Sequence, residues 1–190
     1  MIRDGGVVAV PTDTLYGLAA DPFSASAVRR VFEAKRRPGA QPLPLVAADA
    51  AQVSSQLGTL SEDAARLAER FWPGPLTLLV TAPQSLAPEV TAGTARVGVR
   101  VPAHRVTRAL CRASGRVLTA TSANISGEPA TDDPDVVERS LHGSIDVLLD
   151  GGRTTGGAPS TIVDVTGREV RLVRAGAVSW EEVRACVRHG

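Results

Sequence analysis

The chain has 190 residues, 43% hydrophobic and 22% charged, a balance that suits one globular domain over 1–190 with a respectable core. Aromatics are 3%, too few for an RNA binder that stacks bases on rings, and a net charge of +1 excludes a global field for polyanions. No apolar run nears the roughly 18 residues that span a membrane, and no signal peptide precedes Val7.

"GGVVAVPT" predicts a buried strand over Val7–Val10, stopped by Pro11. Ser24 is placed to cap a helix that turns Val28, Val31 and Phe32 inward and ends near Arg37-Pro38. "PLPLVAA" is a second short strand, and Pro44 marks it as an edge or bent one. Ser61 starts a helix with Ala64, Leu67, Ala68 and Phe71 on one face; "WPGP" breaks it, and "LTLLVTA" follows as a strand. "RVGVRVP" is another strand, closed by Pro102. The segment His104–Ala113 is amphipathic, with Val106, Ala109, Leu110 and Ala113 as its apolar side. "RVLTATSAN" and "IDVLLDGG" each read as strand then turn, and "STIVDVTGREVRLVR" as a hairpin about Thr166-Gly167. A capping box of Ser179 and Glu182 opens the last helix. Interleaved strands and helices without a strict βαβ rhythm predict a mixed sheet in an α/β or α+β domain.

Cys111 and Cys186 have neither metal-ligand nor disulfide spacing, and as small buried hydrophobes they suit a reducing cytoplasm. His104, His142 and His189 are scattered, which argues against a zinc site or a histidine-based triad. Standard phosphate loops are missing, and "DGGRTTGGAPST" reads as a flexible turn. What stands out is a set of small polar turns next to strands: "PTDTLYG", "TSANISG" and "GGAPST". Strand ends of an α/β sheet are where ligand crevices form, and backbone N–H groups in such turns make anion nests. Cations supply the other half of an anion site. Lys35, the one lysine beside twenty arginines, precedes Arg36 and Arg37 at a helix end; Arg174 closes another strand. A solvated helix end would look the same there, because cations are favoured at helix C-termini. Arg100 lies within an apolar strand, where it is either half of a buried ion pair or a ligand for an anion.

Taken in order, "PTDTLYGLAADPF", "KRRPGAQPL", "FWPGPLTLLV", "VGVRVPAH", "TSANISG", "LLDGG", "STIVD" and "LVRAGAV" resemble the YrdC-type threonylcarbamoyl-AMP synthase family, from about Gly5 to Val178. The resemblance implies a single YrdC-like domain without the extra C-terminal domain of longer members. Its fold would be a twisted mixed sheet flanked by helices, with a concave, basic cavity over it. The implied reaction joins L-threonine, bicarbonate and ATP, as the Mg2+ complex, into threonylcarbamoyl-adenylate and pyrophosphate. A partner transferase system would then deliver the group to the adenosine beside the anticodon of tRNA. Carried over by motif position, Thr14, Arg100, Ser160 and the backbone at Ala120 would hold threonine. Lys35 and Arg37 would face ATP and the forming carbamate, with Gln41 nearby. Ser122 and Asn124 would bind phosphate oxygens or their magnesium, helped by the turn at Ala130, and Arg174 would reach the triphosphate.

The pattern departs from many relatives at Gln41, where they carry asparagine, at Val46, where they carry histidine, and at Ala175, where they carry proline. Rival readings are a YciO-like paralogue without this activity and a module that binds tRNA or duplex RNA through a basic concave face. Two others are a carbamoyl-adenylate domain of hydrogenase maturation and a dihydroxybutanone-phosphate synthase, which would need a carboxylate-rich metal site where only Asp13 and Asp21 stand.

Overall fold

Short strands rich in small and β-branched residues build two sheets, and helices, several of them capped by Ser or Asp side chains, cover them. The computed structural model describes residues 1–37 and 41–188; Pro38, expected to stop the first helix, and His189 lie outside them. After a 3-10 turn at Ile2–Asp4 come β1 (Val8–Val10), β2 (Gly17–Ala19), α1 (Ala25–Ala34), β3 (Leu45–Val46), α2 (Ala50–Leu57) and α3 (Glu62–Phe71). Next are β4 (Leu76–Thr81), α4 (Pro88–Thr91), β5 (Arg96–Arg100), α5 (Arg105–Ser114), β6 (Leu118–Thr119) and β7 (Thr121–Ser122). The chain continues through α6 (Pro134–Leu141), β8 (Val147–Leu148), β9 (Thr161–Asp164), β10 (Arg171–Arg174) and α7 (Trp180–Arg188).

The expected mixed sheet is divided in two. One sheet runs β7-β2-β1-β8 and the other β10-β9-β4-β5-β3-β6, each with parallel and antiparallel pairs. The chain passes from one to the other at Ala120, between β6 and β7. Thr119 ties the sheets there: its Oγ1 donates to Leu18 O at 3.1 Å and accepts from Ala20 N at 2.9 Å. The crevice between the sheets opens beside this crossing.

Local capping signals mark the starts of α1, α3 and α7. Ser24 Oγ accepts from Ala27 N, and Ser61 Oγ from Ala64 N, both at 3.3 Å. Ser179 and Glu182 form their reciprocal cap, Glu182 N donating to Ser179 Oγ at 3.2 Å and Ser179 N to Glu182 Oε2 at 3.1 Å. Such caps satisfy N–H groups that a first helical turn otherwise leaves bare.

Two expectations are corrected. Strand β3 is interior, parallel to β5 and antiparallel to β6, although Pro44 suggested an edge. Pro44 precedes the ladder and uses only its carbonyl, which accepts from Ala120 N at 2.8 Å, so its missing N–H costs no rung. The buried side of α5 is Thr107, Cys111 and Ser114, whereas Ala109 and Ala113 are exposed. Helical spacing fits either stripe. Hydrogen bonds decide it, because the Thr107 hydroxyl donates to Pro11 O and Ser114 Oγ to Cys111 O, which lets small polar groups go inside.

Candidate active site

A cavity of about 450 Å3 lies between the sheets, with Thr14, Arg100, Ala120, Ser122, Ser160 and Arg174 among its lining residues. These candidates come from distant parts of the chain. Lys35, Arg37, Gln41, Asn124 and Ala130 do not line it. A hollow of about 570 Å3 between α2 and α3, lined by Leu60, Ala68 and Trp72 among others, contains none of the candidates.

Arg100 ends β5 at 8% exposure, and its Nη1 pairs with Asp13 Oδ1 at 2.5 Å. Of the two sequence readings of this residue, the ion pair is present, and Arg100 also lines the cavity. The remaining guanidinium N–H groups make no hydrogen bond among the described residues, which leaves a charged donor edge for a further anion. Among the described residues, Asp13 Oδ2 is buried without a hydrogen-bond partner, as is Nδ1 of His104. Burial holds the His104 imidazole below its usual range, opposed by the Asp13 charge.

The Thr12–Thr14 turn shapes the opposite wall. Thr12 Oγ1 donates to Leu15 O at 2.7 Å and meets Thr14 Oγ1 at 3.1 Å. The glycine-rich segment read as a flexible turn is bonded down onto this wall. Thr154 Oγ1 and Gly156 N donate to Thr14 O at 2.6 and 3.0 Å, and Thr155 Oγ1 donates to Asp13 O at 2.9 Å. Tyr16 OH donates to Gly152 O at 2.8 Å and accepts from Gly151 N at 3.1 Å.

Ser160 joins the hydroxyl of Thr77 at 2.9 Å, and Arg174 Nη2 donates to Ser160 O at 2.7 Å and to its Oγ at 3.2 Å. Just beyond, Gly176 passes so close to Pro159 and Ser160 that a Cβ would meet the Ser160 carbonyl carbon at 2.6 Å. Only glycine permits that approach, and it holds Arg174 against Ser160.

Lys35, 3% exposed, sits at the end of α1. Its Nζ donates to Ser122 O at 2.5 Å, Asn124 O at 3.0 Å and Asn124 Oδ1 at 3.1 Å, and lies 3.4 Å from Ser122 Oγ. Burial, and then the nearby Arg37 charge, push this ammonium down to about 8. The expected nucleotide-facing lysine thus has an internal task, pinning the "TSAN" turn to a helix end. Asn124 is committed too, its Nδ2 donating to Ile125 O and Glu128 O at 3.0 and 2.6 Å. Arg37 bonds Gln41 and lies over the Phe32 ring, 5.9 Å from its centroid. Ala130 is exposed, in the segment whose Thr131 O accepts from Tyr16 N.

Two residues of the site escaped the sequence reading, Thr77, which lines the cavity, and Asp13, the partner of Arg100. A threonine inside "LTLLVT" carries the same signal as Arg100 in its apolar strand, a polar group where the pattern calls for none.

The Sua5_yciO_yrdC family model, described as "Telomere recombination", matches residues 1–176. The chain belongs to this family. Among Sua5/YciO/YrdC relatives, the threonylcarbamoyl-AMP synthase of Pyrococcus abyssi is 40% identical over 98% of this chain and 55% of its own length. That of Bacillus subtilis is 39% identical over 98% of this chain and 54% of its own. The chain therefore spans about half the length of these two relatives. The synthase of Thiobacillus denitrificans is 39% identical over 90% of both chains. A P. abyssi Sua5 structure in complex with L-threonine superposes with a TM-score of 0.91 at 40% identity, over 98% of this chain and 55% of that one. Escherichia coli YciO gives 0.82 at 26%, over 94% and 86%.

Proposed function

We propose that this chain condenses L-threonine, bicarbonate and ATP into threonylcarbamoyl-adenylate and pyrophosphate, feeding the threonylcarbamoyl modification of tRNA in the cytoplasm. One observation carries the reading: guanidinium groups and hydroxyls from distant segments line one cavity between the sheets. It gains support from relatives that bear the synthase name and from a relative's complex with L-threonine.

The chemistry asks for such a site. The threonine amine attacks the bicarbonate carbon and water leaves, giving a carbamate. A carbamate oxygen then attacks the α-phosphorus, and the bond to the β-phosphate breaks, its electron pair leaving with pyrophosphate. Carboxylate, carbamate and triphosphate are all anions, so catalysis comes from positioning and charge stabilisation, with no covalent nucleophile.

In this assignment the free edge of Arg100 takes the threonine carboxylate, while Thr14 and Ser160 hold the amino acid. Ser122 and Arg174 meet the phosphates, and Lys35 acts by holding the Ser122–Asn124 turn in place. Arg37, with Gln41, is assigned to the nucleotide outside the cavity lining. Among the described residues no group of three or more His, Cys, Asp or Glu is placed to hold a metal. The cations of this site cannot ligate magnesium, so a magnesium would arrive on the ATP phosphates, where the hydroxyl of Ser122 is the side-chain oxygen that would help to hold it; the metal would neutralise charge on the leaving pyrophosphate.

The test is pyrophosphate release with Mg-ATP and bicarbonate, with and without L-threonine, with Arg37→Ala and Thr14→Ala as controls. Release that requires threonine and bicarbonate and is lost in the controls is expected. Folded protein with no threonine-dependent release would point to a YciO-like or RNA-binding role, to be checked by duplex RNA affinity against salt.

A further inference from the structure

We infer that Val46 and Thr77, the neighbours of Arg100 across the cavity floor, read the two substituents on the Cβ of the amino acid: Val46 its methyl, and Thr77 with Ser160 its hydroxyl. The inference rests on the threonine reading above and makes this floor the source of specificity.

Strand register carries it. Val46 of β3 pairs directly with Arg100 of β5. On the other side the β4–β5 ladder ends where Leu78 pairs with Val99, and the residues one step further along each strand, Thr77 and Arg100, both line the cavity. Residues opposite one another across a ladder share a face. Thr77, Arg100 and Val46 thus form one row over three neighbouring strands, and all three line the cavity. The row reads hydroxyl, guanidinium, isopropyl. The hydroxyl end is doubled by Ser160, 2.9 Å from Thr77, and the apolar end is extended by Pro44 and Ala120.

Dimensions agree. Two strand spacings put the ends of the row about 9.5 Å apart. The hydroxyl and methyl of threonine are separated by roughly 2.4 Å, and adding one hydrogen bond and one carbon–carbon contact fills about 9 Å. A carboxylate seated on Arg100 therefore brings the hydroxyl towards Thr77 and the methyl towards Val46. The row is handed, so inverting the β-carbon would set the methyl against hydroxyls and the hydroxyl against Val46, where nothing can bond it.

The experiment compares kcat/KM for pyrophosphate release with L-threonine, L-serine, L-2-aminobutyrate and L-allo-threonine. Wild type is expected to prefer threonine at least tenfold over each, the range one methyl or one unmet hydroxyl commands in a shaped pocket. Val46→Ala should shrink the threonine-to-serine ratio about tenfold through threonine alone. Thr77→Val should shrink the threonine-to-2-aminobutyrate ratio and spare 2-aminobutyrate. Val46 also packs in the core with Leu118 and Cys111, so the allo-threonine comparison, which needs no variant, decides the matter if Val46→Ala is poorly folded. Equal use of threonine and allo-threonine, or an unchanged threonine-to-serine ratio in folded Val46→Ala, overturns the inference. No turnover with any of the amino acids by folded wild type sinks the synthase reading itself, and the inference with it.

Discussion

Replacing Lys35 with methionine tests what the buried ammonium does. The side chain keeps its length and loses every donor, leaving Asn124 O and Asn124 Oδ1 without the ammonium that now serves them, while Ser122 O keeps the bond from Asn124 N. A hydrogen bond to a charged group contributes about 1.5–3 kcal/mol, but burying the ammonium offsets part of that. The net loss at pH 7 should be about 2–4 kcal/mol, a fall in Tm of roughly 5–15 °C for a chain of this size. The pH dependence has a definite sign. Lys35 titrates at about 8 when folded, below its ordinary 10.5, so between those values the unfolded chain binds more protons and stability rises with pH. Wild type should therefore gain on Lys35→Met by about 1–2 kcal/mol between pH 7.5 and 10, a figure discounted for solvent screening. Thermal melts of both proteins across that range supply the assay. A gap that stays constant or narrows would refute the reasoning, as would a Lys35→Met protein that melts with wild type at pH 7.

Arg100→Ala strands the Asp13 carboxylate in a buried position and should cost about 3–5 kcal/mol in urea unfolding, whereas Asp13→Asn, which keeps an acceptor for Arg100, should cost less than half of that. Equal costs would show that the pair is not what stabilises the crevice. Tyr16→Phe removes the hydroxyl that bridges Gly151 and Gly152 and should destabilise by about 1–2 kcal/mol. Amide exchange over residues 150–157 should accelerate more than exchange in β1; uniform acceleration would contradict a local tether.

Much of the fold is legible in sequence wherever one signal is local. Ser24, Ser61 and the Ser179–Glu182 box mark helix starts because capping needs only three or four neighbouring residues. Short elements carry weaker signals. Strand β2 is the three residues Gly17–Ala19, and α4 the four residues Pro88–Thr91, too few for a periodicity to register. Helix α6 did have legible marks, Asp133 at its cap and Pro134 at its first position, but they sit in a run of polar turn residues.

The types of group needed for an anion site, Arg100, Arg174, Ser122, Ser160 and Thr14, could be read in order along the chain, because each stands at a strand end or breaks an apolar pattern. Which of them share a cavity could not. Lys35 and Asn124 look like ligands in sequence, yet they serve each other, because only the packing of α1 against the turn after β7 brings an ammonium to those carbonyls. Asp13 becomes the counter-ion of Arg100 through a separation of 87 residues, which no local pattern encodes. Residue chemistry thus comes from the sequence alone, while pairing and facing come from strand register, since the registers of β3 and β4 on β5 decide that Val46 and Thr77 come to lie about Arg100.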